Sequence, residues 1–394
     1  MCGICGQVSF TTDLSKYESQ FYNMQNKLYS RGPDRHGEFF SQNAVLMHRR
    51  LAVVDIEKGN QPMTYAVDGA VFTLCYNGEL YNTNEIRNTL ESRGYNFFSH
   101  SDTEVVLKAY VEYREKCVDM FNGIFAFAVW EHETRRLFVA RDRMGVKPLF
   151  YSMTKSGFIF ASEIKALLEH SEIEPVIDTR SLAEIMIIGP GRTPGCGVFK
   201  GISEIRPAHY AYYDETGLTI HRYWNVEAHE HSDSFEQTAE KVRYLVTDSI
   251  KRQLVSDVPL CTFLSGGLDS SLISSVTNGE FKKNGEVLHT FSVDYKDNEK
   301  YFKKSKFQPN SDPEFIRIME KYLGGVHHRI VIDTDELVNA LYCAVDARDL
   351  PGMADVDASM LLLCKAIKEQ GTVALSGECA DEIFGGYPWF FRED

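Results

Sequence analysis

The sequence predicts two domains of different class: an N-terminal α+β half rich in short strands, and a C-terminal α/β half built on a parallel sheet. Three observations predict it. Residues 1–170 break into short β-rich runs bounded by turn residues. Beyond residue 234, short apolar strands alternate with longer amphipathic helices, the pattern of parallel βαβ units. Between them, residues 225–233 are polar and carry His229 and His231, which marks a linker. The predicted division is 2–205 for the first domain, 206–233 for a hairpin and linker, and 234–394 for the second. A length of 394 residues suits this division at about 150 residues per domain.

The elements follow in order. Residues 44–55 (AVLMHRRLAVVD) and 70–76 (AVFTLCY) are β-rich, and Asn77-Gly78 reads as a turn after the second. Residues 102–113 start with an Asp cap and carry apolar residues at helical spacing. Residues 123–131, 136–141 and 158–162 read as further strands, and 189–201 is dense in Gly and Pro. Residues 208–213 and 218–223 predict a hairpin around Asp214-Glu215-Thr216-Gly217. In the second half, helices are predicted at 235–255, 313–323, 334–345 and 358–370, and strands at 259–264, 287–293, 326–332 and 372–375. The polar segment 295–312 reads as a surface insertion or as a flap over a ligand. The end, Trp389-Phe390-Phe391-Arg392-Glu393-Asp394, has no helix cap or polar tail and reads as cut.

Composition excludes several classes. The chain is 43% hydrophobic and 25% charged, which rules out a disordered or collagen-like protein. A net charge of −14 argues against a nucleic-acid binder, whose footprint is basic. A membrane helix needs about 20 apolar residues in a row, and the best run here, 123–130 (GIFAFAVW), is too short. No signal peptide is visible, and Cys2 stands where myristoylation needs glycine. Nine cysteines without an export signal read as reduced thiols in the cytoplasm.

Several motifs are decoys. Cys2-Gly3-Ile4-Cys5 has no second CxxC or HxxxH at zinc-site spacing. Gly189-Pro190-Gly191-Arg192-Thr193-Pro194 fails as a dinucleotide fingerprint because Pro194 takes the last glycine's place. His229-Glu230-His231 and His327-His328 read as structural. The segment Ser265-Gly266-Gly267-Leu268-Asp269-Ser270-Ser271 is stronger. It joins an apolar strand to a helix, where free N–H groups and the helix dipole meet an anion. The glycines permit close backbone approach, and the serines add hydroxyl donors. Asp269 would repel bare phosphate, which points to a Mg²⁺ between them. A second loop, Ser376-Gly377-Glu378-Cys379-Ala380-Asp381-Glu382, again follows a short strand. The two loops then share a sheet edge, with Asp269 and Asp381 as metal ligands and Glu378 placed for acid–base or positioning work.

At these residues the chain resembles the glutamine-hydrolysing asparagine synthetases. SGGLDSS resembles their pyrophosphate-binding loop and SGECADEIFGGY their second nucleotide motif. The N-terminal half resembles a class II glutamine amidotransferase at Cys2-Gly-Ile, Arg31-Gly-Pro-Asp34, His48 to Asp55, Tyr76 to Asn82, Ser101 to Glu104, Arg141 to Leu149 and Ala161 to Leu167. The resemblance implies a four-layer αββα Ntn-hydrolase sandwich followed by a PP-loop domain of the adenine-nucleotide α-hydrolase kind. It implies that Cys2, exposed as the N-terminus once Met1 is removed, is the nucleophile, its own α-amine taking the thiol proton. Asn77 and Gly78 would form the oxyanion hole. Glutamine binding falls to Arg50, Leu51, Ala52, Val53, Val54, Asn77, Gly78, Glu79 and Asp102, with Arg50 on the α-carboxylate and Asp102 on the α-ammonium. ATP binding falls to Leu264, Ser265, Gly266, Gly267, Asp269, Ser270, Val293, Ser376 and Gly377, and Glu378 serves the acyl-adenylate.

The implied reaction adenylates the β-carboxylate of aspartate, using ATP and Mg²⁺, and ammonia from glutamine reaches that intermediate by a tunnel. The resemblance also implies a cytoplasmic homodimer with small-molecule substrates and no nucleic-acid or membrane partner. Three departures stand out. Cys379 and Ala208 occupy positions where the family has glycine, and the family continues past residue 394 with a phosphate-contacting lysine. Two other readings compete: a related ligase for another carboxylate, of the β-lactam synthetase kind, whose members lack the N-terminal cysteine present here, and a chain that only hydrolyses glutamine or binds.

Overall fold

The computed structural model describes residues 1–303 and 312–392; the centre of the 295–312 segment, proposed above as an insertion or flap, lies outside them. The chain divides into two compact units, Met1–Glu230 and His231–Asp394. All nine cysteines are free thiols.

The first unit holds two six-stranded antiparallel sheets. One runs Ile202–Glu204, Phe150–Thr154, Gly157–Ala161, Gly3–Val8, Ala44–Arg50, Arg35–Phe40. The other runs Gly217–Arg222, His209–Asp214, Arg136–Arg141, Gly123–Glu131, Ala70–Leu80, Met63–Val67. Alternation along each strand decides what it faces. In Ala70–Leu80, Phe72, Leu74 and Tyr76 pack against the helices Thr83–Glu91 and Asp102–Tyr113, while Cys75 points into the layer between the sheets. In Gly123–Glu131, Phe125 and Phe127 face the helices and Ala126 and Ala128 face the other sheet. There they meet Ile4, Val8, Leu46, Phe158 and Phe160. The helix Glu18–Lys27 and the turn Ile164–Leu167 cover the outer face of the first sheet. Helix, sheet, sheet and helix make the four αββα layers.

Three sequence readings change here. Asn77-Gly78 is not a turn. Asn77 pairs with Ala126 and Gly78 with Phe125 inside a continuous ladder. Glycine is required for close approach, since a Cβ at Gly78 would lie 2.6 Å from the Ile124 carbonyl oxygen. Nor does Asp102 cap its helix. Ser101 is the cap, its hydroxyl accepting from the Thr103 N–H, and Asp102 is thereby released for another task. The hairpin grouped with the linker extends the second sheet, because His209–Asp214 pairs with Arg136–Arg141.

The second unit centres on a four-stranded, all-parallel sheet ordered Val326–Ile332, His289–Tyr295, Leu260–Phe263, Val373–Leu375. The chain starts inside the sheet, winds outward, and returns to the other side of its first strand. Strand order therefore reverses between Leu260–Phe263 and Val373–Leu375, the crevice in which ligands of such sheets bind. Leu363 and Ile367 of helix Ala354–Lys368 cover Cys261 and Phe291 on one face. His327 sits between the hydroxyls of Thr290 and Ser292, at 2.8 and 3.0 Å, as a structural residue.

Candidate active site

In the first unit, Cys2 immediately precedes the strand Gly3–Val8, with the parity of Ile4 and Val8, which face the other sheet. Asn77 has the parity of Cys75, which faces back. Both residues thus belong to the inner layer. A cavity of about 30 Å³ opens there, lined by Cys2, Arg50, Leu51, Val53, Val54, Gly59, Gln61, Tyr76, Gly78, Glu79, Ser101, Asp102 and Thr103. Sequence segments far apart in the chain converge on it, and most of the predicted glutamine-site residues are among them. Ala52 and Asn77 are not; the Ala52 N–H is engaged by the Asp34 carboxylate at 2.8 Å, and Asn77 sits on the strand between the lining residues Tyr76 and Gly78.

The Cys2 thiol lies 3.6 Å from the Leu51 carbonyl oxygen, and burial pushes it above its ordinary range. At rest it is a thiol, so attack requires a base. Arg31 fixes the residue: its Nε donates to the Cys2 carbonyl at 2.8 Å, and its Nη1 pairs with Glu163 at 3.0 Å. Asn77 is 1% exposed, yet among the described residues neither its side-chain nitrogen nor its oxygen has a hydrogen-bond partner. Leaving such an amide buried and unpaired costs about 1–3 kcal/mol per group. That cost is recovered when a ligand supplies the missing partner.

Arg50 is 4% exposed, and its guanidinium donates to the carbonyls of Val54, Asp55 and Ile56 at 3.1, 2.6 and 2.9 Å. It holds the loop that forms one wall of the pocket. Asp55 pins the same loop, accepting from Lys58 N–H at 3.0 Å and His100 N–H at 2.8 Å. Gln61 accepts from Tyr76 N–H at 2.6 Å and donates to Thr103 at 3.2 Å. Asp102 accepts from the Tyr76 hydroxyl at 2.9 Å and from Leu80 N–H at 3.1 Å. Burial raises its carboxyl above the usual range. Glu79 is pushed up to about 8, by burial first and by the Asp102 charge second. Two buried carboxyls that resist ionising together favour a cationic group beside them, and the Lys147 ammonium already acts on Glu79 in that sense. His48 Nε2 donates to the Tyr76 carbonyl at 3.2 Å, and burial pushes its pKa down to about 3, so it stays neutral.

The second unit places its candidate residues differently. The loop after Leu260–Phe263 is held from within. Ser265 and Ser270 hydroxyls lie 3.0 Å apart, Ser265 N–H donates to Ser270 at 3.2 Å, and Gly267 N–H donates to Ser265 at 3.4 Å. Leu264 N–H donates to the Phe291 carbonyl at 2.8 Å, tying the loop to strand His289–Tyr295, which carries Val293. The helix Leu268–Lys283 starts from Gly267 with no side-chain cap, which leaves its first-turn N–H groups without a capping side chain. Gly266 has φ +82°, and a Cβ there would lie 2.9 Å from Phe315. The two predicted loops do meet: a Cβ at Gly377 would lie 2.9 Å from the Asp269 Cβ and 3.1 Å from Ser270 N. Ser376 and Glu378 are exposed, and the Ser376 hydroxyl accepts from Glu378 N–H at 3.1 Å.

Asp269 and Asp381 offer the hard oxygen donors that Mg²⁺ takes, an ion that needs only one or two protein carboxylates beside water and phosphate. Among the described residues no group of three or more His, Cys, Asp or Glu could hold a metal by itself. Ala208 has φ +60° and Cys379 φ +72°, so both replacements of a family glycine fall in left-handed backbone. Sequence reasoning gave no role to Arg31, Asp34, Gln61, Tyr76 or Lys147. Four of the five lie inside the quoted motifs, which was the available signal.

Comparison with known proteins agrees with this division. The profile of a glutamine amidotransferase domain matches residues 1–224, and that of asparagine synthase matches residues 241–394. Asparagine synthetase [glutamine-hydrolyzing] 3 of Bacillus subtilis is 53% identical over 100% of this chain and 64% of its own length. A putative asparagine synthetase [glutamine-hydrolyzing] 2 of Methanocaldococcus jannaschii is 32% identical over 98% of this chain and 76% of its own length. Asparagine synthetase B [glutamine-hydrolyzing] of Escherichia coli is 30% identical, covering 100% of this chain and 66% of that one. The chain thus spans 64% of the first Bacillus subtilis relative and 59% of a second, asparagine synthetase [glutamine-hydrolyzing] 1. With both domain profiles matched in order and the pocket residues assembled around Cys2, this chain belongs to the glutamine-hydrolysing asparagine synthetase family.

Proposed function

We propose that this chain carries out glutamine-dependent asparagine synthesis, divided between its two units. The observation that carries the reading is the buried, unpartnered Asn77 amide on the layer that also holds Cys2. With Met1 removed, the Cys2 α-amine takes the thiol proton, and the thiolate attacks the side-chain carbonyl carbon of glutamine. A C–S bond forms, and the carbonyl oxygen becomes an oxyanion held by the Asn77 amide and the Gly78 N–H. The C–N bond then breaks and ammonia leaves with the proton. Water hydrolyses the thioester, releasing glutamate and restoring the thiol. Asp102 and Glu79 receive the substrate ammonium. Arg50 and residues 51–54 shape the wall that takes its carboxylate end.

In the second unit, the uncapped start of helix Leu268–Lys283 and the loop 264–270 take the phosphates of ATP, with Val293, Ser376 and Gly377 around the nucleotide. Mg²⁺ held by Asp269 and Asp381 would neutralise phosphate charge there. Glu378 positions the aspartate β-carboxylate, whose oxygen attacks the α-phosphorus of ATP and expels pyrophosphate; ammonia then attacks the acyl-adenylate and displaces AMP. The nine free thiols suit a reducing cytoplasm. A homodimer with no nucleic-acid or membrane partner completes the reading.

The test is direct. Purified protein is given Mg-ATP, aspartate and ammonium while pyrophosphate and asparagine are measured, and glutamate is measured in parallel on glutamine alone. Both activities are expected. Glutamate without pyrophosphate would overturn the synthetase half, and pyrophosphate without glutamate would overturn the amidohydrolase half.

A further inference from the structure

Lys147 lies in the segment Arg141 to Leu149, a motif that the reaction scheme leaves without a role. Lysine is almost never fully buried unless paired, yet Lys147 is 5% exposed. Its backbone is locked on both sides. Its N–H donates to Asp142 Oδ2 at 3.0 Å, and its carbonyl accepts from Arg141 Nε at 2.6 Å. Arg141 is itself buried and paired with Glu204 at 2.9 Å. The side chain therefore leaves a rigid loop in a fixed direction, and its Nζ reaches the Met1 sulfur at 3.0 Å. A thioether is a weak acceptor. Among the described residues, then, a buried ammonium donates only to the residue whose removal creates the nucleophile.

The charged groups acting on Lys147 come from several elements: Glu79 on strand Ala70–Leu80, Arg31 beyond helix Glu18–Lys27, Asp142 on its own loop, and Cys2. Burial pulls the ammonium down and the Glu79 charge opposes that. The same cation acts on the Cys2 thiol in the direction that favours thiolate.

We propose that Lys147 is a positioning residue of the amidohydrolase site: after Met1 is lost, its ammonium faces the new N-terminus, keeps the Cys2 α-amine in its free-base form, and attracts the thiolate. A positive charge disfavours protonation of a neighbouring amine and favours ionisation of a neighbouring thiol. The charge thus keeps the amine unprotonated before the transfer and stabilises the thiolate after it, while making the amine a weaker base. The inference rests on the reading of Cys2 as an N-terminal nucleophile.

The test is the pH dependence of kcat for glutamate release at saturating glutamine, which reports groups in the substrate complex. The acidic midpoint of the unsubstituted protein is expected below the 7.7–8.0 of an ordinary α-amine. Lys147→Met should move it up by about one pH unit, so that activity at pH 7 falls about fivefold and the profiles converge at high pH. Lys147→Arg should keep the original midpoint. An unchanged midpoint in K147M, or a loss by one constant factor at every pH, would overturn the proposal. If K147M melts early, Lys147→Gln replaces it, and an unsubstituted midpoint at or above 8 overturns the proposal alone. Equal glutamate release from Cys2→Ala and the unsubstituted chain would instead overturn the underlying reading of Cys2.

Discussion

The pocket beside Cys2 and the loop after Leu260–Phe263 are built on opposite plans. The first lies between two sheets and keeps unmet demands: an unpartnered Asn77 amide, two carboxyls raised by burial, a buried lysine on a thioether. The second is open at a sheet edge, and its Ser265 and Ser270 groups satisfy one another. An enclosed site can leave polar groups unsatisfied because a folded shell holds them in place, and the ligand then recovers their cost. An open loop has water to satisfy it and must hold its shape by its own hydrogen bonds. Its specificity comes from backbone N–H groups and glycine-allowed approach, which need no side chain.

That contrast predicts how each site breaks. Asn77→Ala should lower kcat for glutamate release about 10²–10³-fold, the scale of one oxyanion donor, without lowering the melting temperature, since the amide has no partner to lose. A clear drop in stability would mean that the amide is structural. Gly377→Ala should act on the other site alone. Its new methyl would push the two loops apart at Asp269, raising KM for ATP about tenfold, on the scale of 1.4 kcal/mol. Equal glutamate release by this variant checks that the first pocket is untouched.

The carboxyl pair gives a pH prediction. Glu79 is raised above its unfolded value of 4.5 to about 8, so the native state holds the extra proton. Its contribution to stability is present below about pH 4.5 and is lost as pH rises through about 8. A bound substrate ammonium favours the ionised form, so glutamine binding near pH 7 should release a proton. Calorimetry in two buffers of different ionisation enthalpy measures it, and Glu79→Gln should abolish it. Release unchanged by that substitution would move the titration elsewhere.

The smallest effects belong to the backbone. Ala208→Gly in the first unit and Cys379→Gly in the second each relieve a left-handed residue. Each should gain about 0.5–1 kcal/mol in denaturant unfolding, after the entropy that glycine adds to the unfolded chain. A loss in either case would show that the replaced side chain makes compensating contacts.

Much of this was legible in the sequence, and the failures share a cause. Alternating strands and helices announced the parallel sheet, because burial on both faces needs that pattern. Strand order was not legible, so the meeting of the Asp269 and Gly377 loops at the reversal point needed the structure. Asn77-Gly78 has the composition of a turn, but pairing with Gly123–Glu131 carries the strand straight through it. Asp102 has the composition of a cap, and the preceding Ser101 takes that task. The strand Gly3–Val8 carries two glycines and no clean polar–apolar alternation, because it is buried on both faces, so its composition does not mark it as a strand. Lys147 and Arg31 sat in view inside motifs, but burial and direction exist only in three dimensions.

The most direct test of the account uses Cys2→Ala. Glutamate release from glutamine and ammonium-dependent pyrophosphate release are measured on the same preparation. The account predicts loss of the first at least a thousandfold, on the scale seen when a nucleophile is removed, with the second unchanged. Retained glutamate release would contradict the N-terminal nucleophile, and loss of both would contradict two separate sites.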